Sequence, residues 1–179
     1  MEEVAGQVLG TGSGYGRGSG AGGGGGHGNP DPTSGHTGGN VYGYNLSGDY
    51  ENYLSETHLT TTAIDCSTLN TVLLKFWRYL NVEQPTYDHA YVRVSNDGSN
   101  WTQVWTNTAE ITDSSWTQVE YDISDVADGQ STVYLRWTMG TTDSSWQYSG
   151  WNIDDVRVGV VLESDGALAR DLAAAYAGT

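Results

Sequence analysis

The decapeptide "TVLLKFWRYL", residues 71–80, decides the fold. Read with the two-residue period of a strand, Val72, Leu74, Phe76 and Leu80 lie on one face, and Leu73, Trp77 and Tyr79 on the other. A strand that is apolar on both faces belongs inside a sheet, with a core beneath it and a covering layer above. Neighbouring segments alternate more strictly. In "HAYVRVS" (89–95), Ala90, Val92 and Val94 point inward, and Tyr91 and Arg93 outward. In "TVYLRWTM" (132–139), Val133, Leu135, Trp137 and Met139 point inward, and Tyr134 and Arg136 outward. From about residue 40, runs rich in Val, Ile, Thr, Tyr and Trp are separated by clusters of Gly, Asn, Asp and Ser. They predict strands near 40–46, 57–62, 71–81, 89–95, 101–106, 116–123, 132–139 and 152–159. Such a series predicts an all-β fold, a two-sheet antiparallel β-sandwich of jelly-roll type.

Two segments of different texture flank the sandwich, which is assigned to residues 28–160. Residues 1–27 form a Gly-rich arm, with "GTGSGYGRGSGAGGGGGHG" at 10–28; a chain of that composition buries little and is expected to act as a flexible linker. In the tail, residues 161–179, Ser164 is placed to cap a short helix running to about Ala175, with Leu168, Leu172 and Ala175 on one face. A helix this short needs a surface to dock on.

Charge narrows the partners. The chain carries 22 Asp and Glu against 7 Lys and Arg, a net charge of -15, and Lys75 is its one lysine. That surface repels phosphate backbones, so no nucleic-acid partner is expected. No run approaches the roughly 20 apolar residues of a membrane helix, so no membrane insertion is expected either. The opening "MEEVAGQVLG" is acidic where a secretory signal is basic; if the protein is exported, its signal lies outside this sequence. The single Cys66 excludes an internal disulfide and reads as a small buried residue.

The strand "SGWNIDDVRVGV" (149–160) raises a question, because Asp154 and Asp155 sit side by side where burial should begin. The leading loop "GNPDPTSGHTGGNVYGYNLSGDYEN" (28–52) supplies Asp31, Asp49 and Glu51 amid freely turning backbone. Calcium takes six to eight oxygens from carboxylates, carbonyls and water. First and last strands commonly adjoin in a jelly roll, which would bring Asp154 and Asp155 to Asp31 and Asp49. The alternative leaves Asp154 and Asp155 solvated or paired with Arg136 or Arg157.

The leading loop, followed by "LTTTAIDCS", "LLKFWRYL", "AYVRVSNDGSNWTQVW", "YLRW" and "GWNIDDVRV", resembles the MAM-like jelly-roll modules that accompany secreted bacterial metallopeptidases of the immune-inhibitor type and other multidomain exported proteins. The resemblance spans about residues 28–159. It implies a non-catalytic accessory module, outside the cell or at its surface. Similar terminal "IDDV" strands occur in carbohydrate-binding jelly rolls, where an Asp helps hold a structural calcium. On that resemblance Asp155, Asp31 and Asp49 are the first ligands expected, followed by Asp154 and Glu51. Having only Cys66, the chain departs from animal MAM domains, so their disulfides and adhesive dimerisation are not carried over. It also lacks the peptidase H-E-x-x-H motif.

Other motifs read as structural. "SNDGSNW" (95–101) resembles an Asp-box hairpin, with Ser95 and Asp97 bonding the turn, Gly98 at positive φ and Trp101 packed beneath. His27, His36, His58 and His89 lack metal-like spacing and are expected in solvent, although the leading loop could bring His36 to a zinc site. No G-x-S-x-G elbow is present, and no base stands near Cys66. "TDSSW" occurs at 112–116 and again at 142–146, which predicts two similar loops, each landing an aromatic on the sheet. The 7 tryptophans are expected mostly in the core.

The outward residues offer a second site. If Trp77, Tyr79, Tyr91, Arg93, Tyr134 and Arg136 share one outer face, they form an aromatic and guanidinium platform for sugar rings. The alternative is cross-strand pairing that only stabilises the sheet. The sequence therefore predicts a calcium-stabilised interaction or attachment module with a protein or glycan partner at the cell surface. The alternatives are a carbohydrate-binding module using the aromatic face, and a structural protein that self-associates.

Overall fold

The computed structural model describes residues 8–10, 15–18, 26–161 and 168–169. Its elements run β1 (Val8–Gly10), β2 (Tyr15–Gly18), β3 (Val41–Tyr44), β4 (Thr57–Thr61), β5 (Leu73–Val82), β6 (Ala90–Ser95) and β7 (Thr102–Thr106). They continue through β8 (Ile111–Thr112), β9 (Thr117–Asp122), α1 (Ser124–Ala127), β10 (Tyr134–Met139), β11 (Gly150–Val161) and β12 (Leu168–Ala169). One sheet has the order β1-β4-β10-β6-β7. The other runs β2-β3-β11-β5, and both β8 and β9 pair with β5. All pairings are antiparallel. The chain crosses between the sheets at β3–β4, β4–β5, β5–β6, β7–β8, β9–β10 and β10–β11, and the first and last strands of the sandwich, β3 and β11, lie side by side through Asn152↔Gly43 and Ile153↔Tyr42. This is the jelly roll that the alternation predicts.

Each of the eight predicted strands is present, displaced by two residues or fewer at either end. The inward sets are buried as read: Val72, Leu74, Phe76 and Leu80 from β5 and its approach, Ala90, Val92 and Val94 from β6, and Val133, Leu135, Trp137 and Met139 along β10. Phe76 meets Trp137 edge-on at 5.3 Å between ring centroids, which ties the two sheets at the centre of the core. Burying side chains of this size contributes roughly 1.5–3 kcal/mol each, offset by the entropy of ordering them. Cys66 is buried, and burial pushes its thiol up to about 11, as expected for a packing residue.

Three expectations need correction. Parts of the Gly-rich arm are strands: β1 pairs with β4, and β2 with β3, so the arm contributes to both sheet edges. An unpaired edge strand is open to further pairing, and short glycine-bearing strands can approach it closely. In the tail, Leu168–Ala169 is strand paired with β11, not helix. The backbone bonds offered by the end of β11, beyond its pairing with β3 and β5, prevail over a short helix; the other residues of that proposed helix, and those of the arm apart from β1, β2, Gly26 and His27, lie outside the described residues. Among the tryptophans, only Trp137 and Trp151 are fully buried.

The outer layer over β5, expected from its two apolar faces, is the leading loop. His36 stacks on Trp77 with centroids 3.6 Å apart. Tyr79 is covered in turn by the edge of Trp116.

A candidate binding surface at the loop end

The five acids predicted to share an ion do not converge. Asp154 and Asp155 sit at a β-bulge in β11, where the register with β5 shifts and Asp155 has φ 48°. Their oxygens are taken by donors from the leading loop. Thr37 N–H donates to Asp154 Oδ2 at 3.0 Å, Thr37 Oγ1 to Asp155 Oδ1 at 2.6 Å, and His36 Nδ1 lies 2.7 Å from Asp155 Oδ2. A Cβ on Gly35 would sit 2.6 Å from Asp154 Oδ2, so glycine is what lets the loop close down on this strand. The paired acids thus pin the loop that covers the sheet. They meet neither Arg136 nor Arg157 in an ion pair, and His36 is engaged with Asp155 rather than free in solvent.

Asp31 and Asp49 form a separate place. Asp31 is 3% exposed and accepts from Asn152 Nδ2 at 2.7 Å; its Oδ2, like Asn152 Oδ1, is buried without a donor. Burial, with some repulsion from Asp49, pushes the Asp31 carboxyl up to about 7 against the lowering effect of Asn152. Glu51 is occupied elsewhere, accepting from Tyr44 Oη.

The predicted platform is also divided. Trp77 and Tyr79 lie on β5, whereas Tyr91, Arg93, Tyr134 and Arg136 lie on β6 and β10 in the opposite sheet. Sharing the outward phase of a strand does not place two residues on one sheet. On that opposite sheet, the aromatic faces already carry cations. The Arg136 guanidinium sits 3.6 Å over Trp101, and that of Arg93 sits 4.2 Å over Tyr91 while gripping Glu56 at 2.7 and 2.8 Å. His58 and His89 join the same layer through Thr138 and Tyr91. The face is a network of cross-strand pairs. Its Asp-box turn has the predicted form: Asp97 Oδ1 accepts from Ser99 N and Asn100 N, Ser95 Oγ accepts from Gly98 N, and Gly98 has φ 72°.

What the sequence reading missed lies at one end of the sandwich, where the loops β3–β4, β5–β6, β7–β8 and β10–β11 meet. Tyr53 N–H donates to Asp143 O, Asp143 N–H to Asp88 Oδ1, and Asn107 Nδ2 to the carbonyls of Glu83 and Asp88. These bonds join all four loops, and Tyr148 Oη donating to Glu110 ties β10–β11 to β7–β8 directly. All three large exposed apolar side chains of the described residues are here: Tyr53 (77% exposed), Trp146 (52%) and Tyr87 (42%). Tyr53 is held at φ 57°, an uncommon backbone for a tyrosine. Trp146 stacks on His27 at 4.5 Å and stands beside a cleft of about 400 Å³. The cleft is lined by Glu83, Gln84, Thr86, Thr108, Glu110 and Tyr148 among others.

Beneath that surface, Glu83, Asp88 and Asp143 bring one carboxylate oxygen each within 4.8 Å of one another. Glu83 is raised above the ordinary carboxylate value by burial first, then by the charges of Asp88, Asp143 and Glu110. Asp88 is raised by burial, against hydrogen bonds from Tyr50 and from the Asp143 backbone. A sequence signal for this cluster did exist, since Asp143 belongs to the repeated TDSSW. Glu83 and Asp88 stand in an ordinary polar loop and carry none.

No protein-family model matches this chain, and no curated protein matches it. Among solved structures, it is similar to a cleaved adhesin domain of Lys-gingipain from Porphyromonas gingivalis, with 15% identity, a TM-score of 0.54, and 86% of this chain and 89% of that one covered. A second cleaved adhesin domain of the same protein aligns at 16% identity and a TM-score of 0.46, covering 83% and 92%. A carbohydrate-binding module specific for non-crystalline cellulose aligns at 14% identity and a TM-score of 0.42, covering 68% and 75%. The class that the fold defines is thus a two-sheet antiparallel β-sandwich, shared with the first of these adhesin domains. At these identities the likeness is one of fold.

Proposed function

We propose that this chain is a non-catalytic attachment module of an exported bacterial protein, which binds a neutral polysaccharide with the loop end of its sandwich. The observation that carries this reading is Trp146, half exposed beside the cleft that holds Glu83, Gln84, Thr86, Thr108 and Glu110. A sugar ring presents an apolar C–H face to an exposed indole and its hydroxyls to carboxylates, amides and hydroxyls; the cleft offers both kinds of contact side by side. The acids of the cleft and the net charge of -15 favour an uncharged glycan over an anionic one. The MAM-like motifs and the adhesin-like fold support the same reading at the level of class, including a place outside the cell.

A structural calcium belongs to this proposal. Asp31 Oδ2 and Asn152 Oδ1 are buried acceptors without donors, and Asp49 acts electrostatically on Asp31. A hard cation taking oxygen ligands suits that set.

The test is retardation of the purified chain in gels containing soluble neutral polysaccharides, with Trp146→Ala alongside. Retardation by at least one polysaccharide, lost in Trp146→Ala and kept in Trp101→Ala, is expected. Retardation that survives Trp146→Ala but fails in Trp101→Ala would move the site to the Arg-bearing sheet face. No retardation by any polysaccharide, with capture of a purified surface protein instead, would replace the glycan by a protein partner.

A further inference from the structure

We propose that Glu83, Asp88 and Asp143 bind one divalent cation, calcium by their chemistry, at the floor of the loop end. This site is separate from Asp31, and it does not depend on the nature of the attachment partner. Asp88 is fully buried and Glu83 is 4% exposed, and their carboxylate oxygens lie within 4.8 Å of each other and of Asp143. Glu83 Oε2 is buried and has no hydrogen-bond partner. A buried carboxylate that keeps an unpartnered oxygen beside two more carboxylates combines a desolvation cost with like-charge repulsion, and a bound cation removes both.

The nearby donors do not do this work. Tyr50 Oη reaches Asp88 Oδ2 at 2.6 Å, the Asp143 N–H reaches Asp88 Oδ1 at 2.9 Å, and Ser145 N–H reaches Asp143 Oδ1 at 2.7 Å. These are neutral donors that orient the carboxylates and leave the charge in place. The basic side chains with described partners are committed elsewhere: Lys75 to Glu120, Arg78 to Asp113, Arg93 to Glu56, and Arg136 to Trp101 and Thr60. His89 acts on Asp88 as the least of the influences on that group, and its Nδ1 lies against Thr141 O.

The ligand chemistry selects the ion. Three carboxylates with no imidazole or thiolate among them suit a hard cation over zinc or copper. Calcium also tolerates the irregular geometry of ligands drawn from two loops, and takes its remaining oxygens from water. The cluster is not sealed: Asp143 is only partly buried, and Glu83 lines the cleft, so an ion has a way in.

Calorimetric titration of the whole chain with calcium, after EDTA treatment and desalting, tests this. The parent is expected to bind calcium. Glu83→Gln and Asp143→Asn are each expected to weaken one binding event at least about tenfold, which Asp31→Asn leaves intact. If Asp31 also holds an ion, Asp31→Asn removes a second event that survives in Glu83→Gln, so the two sites fail separately. The proposal is overturned if the parent binds no calcium, or if Glu83→Gln and Asp143→Asn bind it as the parent does. Should Glu83→Gln lose its β circular dichroism, Asp143→Asn decides alone, since its side chain is partly exposed and is bonded chiefly to its own turn.

Discussion

The pentapeptide TDSSW appears twice, and its two copies end in opposite surroundings. At 112–116, Asp113 receives Arg78 through Nε at 2.9 Å and Nη2 at 3.1 Å, along with the Leu80 N–H at 3.0 Å, and Trp116 lays its edge against Tyr79. At 142–146, Asp143 lies beside Glu83 and Asp88, and Trp146 stands out in solvent on His27. With no guanidinium to claim it, the second aspartate turns to its own loop and accepts from Ser145 N and Oγ. One local sequence thus makes a closed structural corner in one place and an open acidic surface in the other. The difference comes entirely from what the rest of the chain delivers: Arg78 to the first copy, two acids to the second.

Replacing the two aspartates should break the symmetry most sharply. Asp113→Ala strands a mostly buried guanidinium and the Leu80 N–H, a change that costs about 3–5 kcal/mol. Asp143→Ala in EDTA relieves repulsion and should fall within about 1 kcal/mol of the parent, on either side. Urea unfolding of both variants checks this; equal losses would mean that the second loop is as structural as the first.

The comparison also has a pH signature of somewhat smaller size. Carboxyls raised in the folded state bind protons more tightly there than in the unfolded chain, so they favour folding at low pH. For Asp31, stability falls as pH rises from the ordinary carboxylate value of 3.8 through about 7; Glu83 and Asp88 act in the same direction. Thermal melts in EDTA should therefore show a lower Tm at about pH 8 than at about pH 5.5, and millimolar calcium should restore the higher value. Asp31→Asn should flatten part of the slope in EDTA and gain roughly 1–2 kcal/mol at the upper end, because its amide can donate to the orphaned Asn152 Oδ1. A flat profile in the parent would contradict the description of both acidic sites.

The sandwich was legible because its signal is local and repeated. Alternation in β6 and β10 and the doubly apolar β5 specify faces, and faces specify sheets buried against one another. The Asp-box turn was legible for the same reason, since all its bonds fall within 95–100. The proposed binding surface was not. Glu83, Asp88 and Asp143 are joined only by the topology that gathers alternate loops at one end, and outward residues from β5 and β6 look alike until the strands are assigned to different sheets. The IDDV acids were rightly read as meeting the leading loop, but the partners that reached them, His36 and Thr37, are not acids. The short strands at 8–10, 15–18, 111–112 and 168–169 had no alternation long enough to show.

The two tryptophans give the smallest difference in stability and the most telling one for function. Trp116→Ala removes a half-buried ring that roofs Tyr79 where β9 begins, so about 2 kcal/mol should be lost. Trp146→Ala removes a ring 52% exposed, whose described ring contacts are His27 and, through it, the margin of Tyr148; the change should stay within about 0.5 kcal/mol. A solvent-facing indole that contributes so little to folding is held there at the cost of exposed apolar surface, and an attachment site supplies the reason. Denaturation curves for both variants, read beside polysaccharide retardation, separate the roles. If Trp146→Ala destabilises as much as Trp116→Ala, the second copy of TDSSW is another corner of the fold, and the loop end loses its claim to be the binding surface.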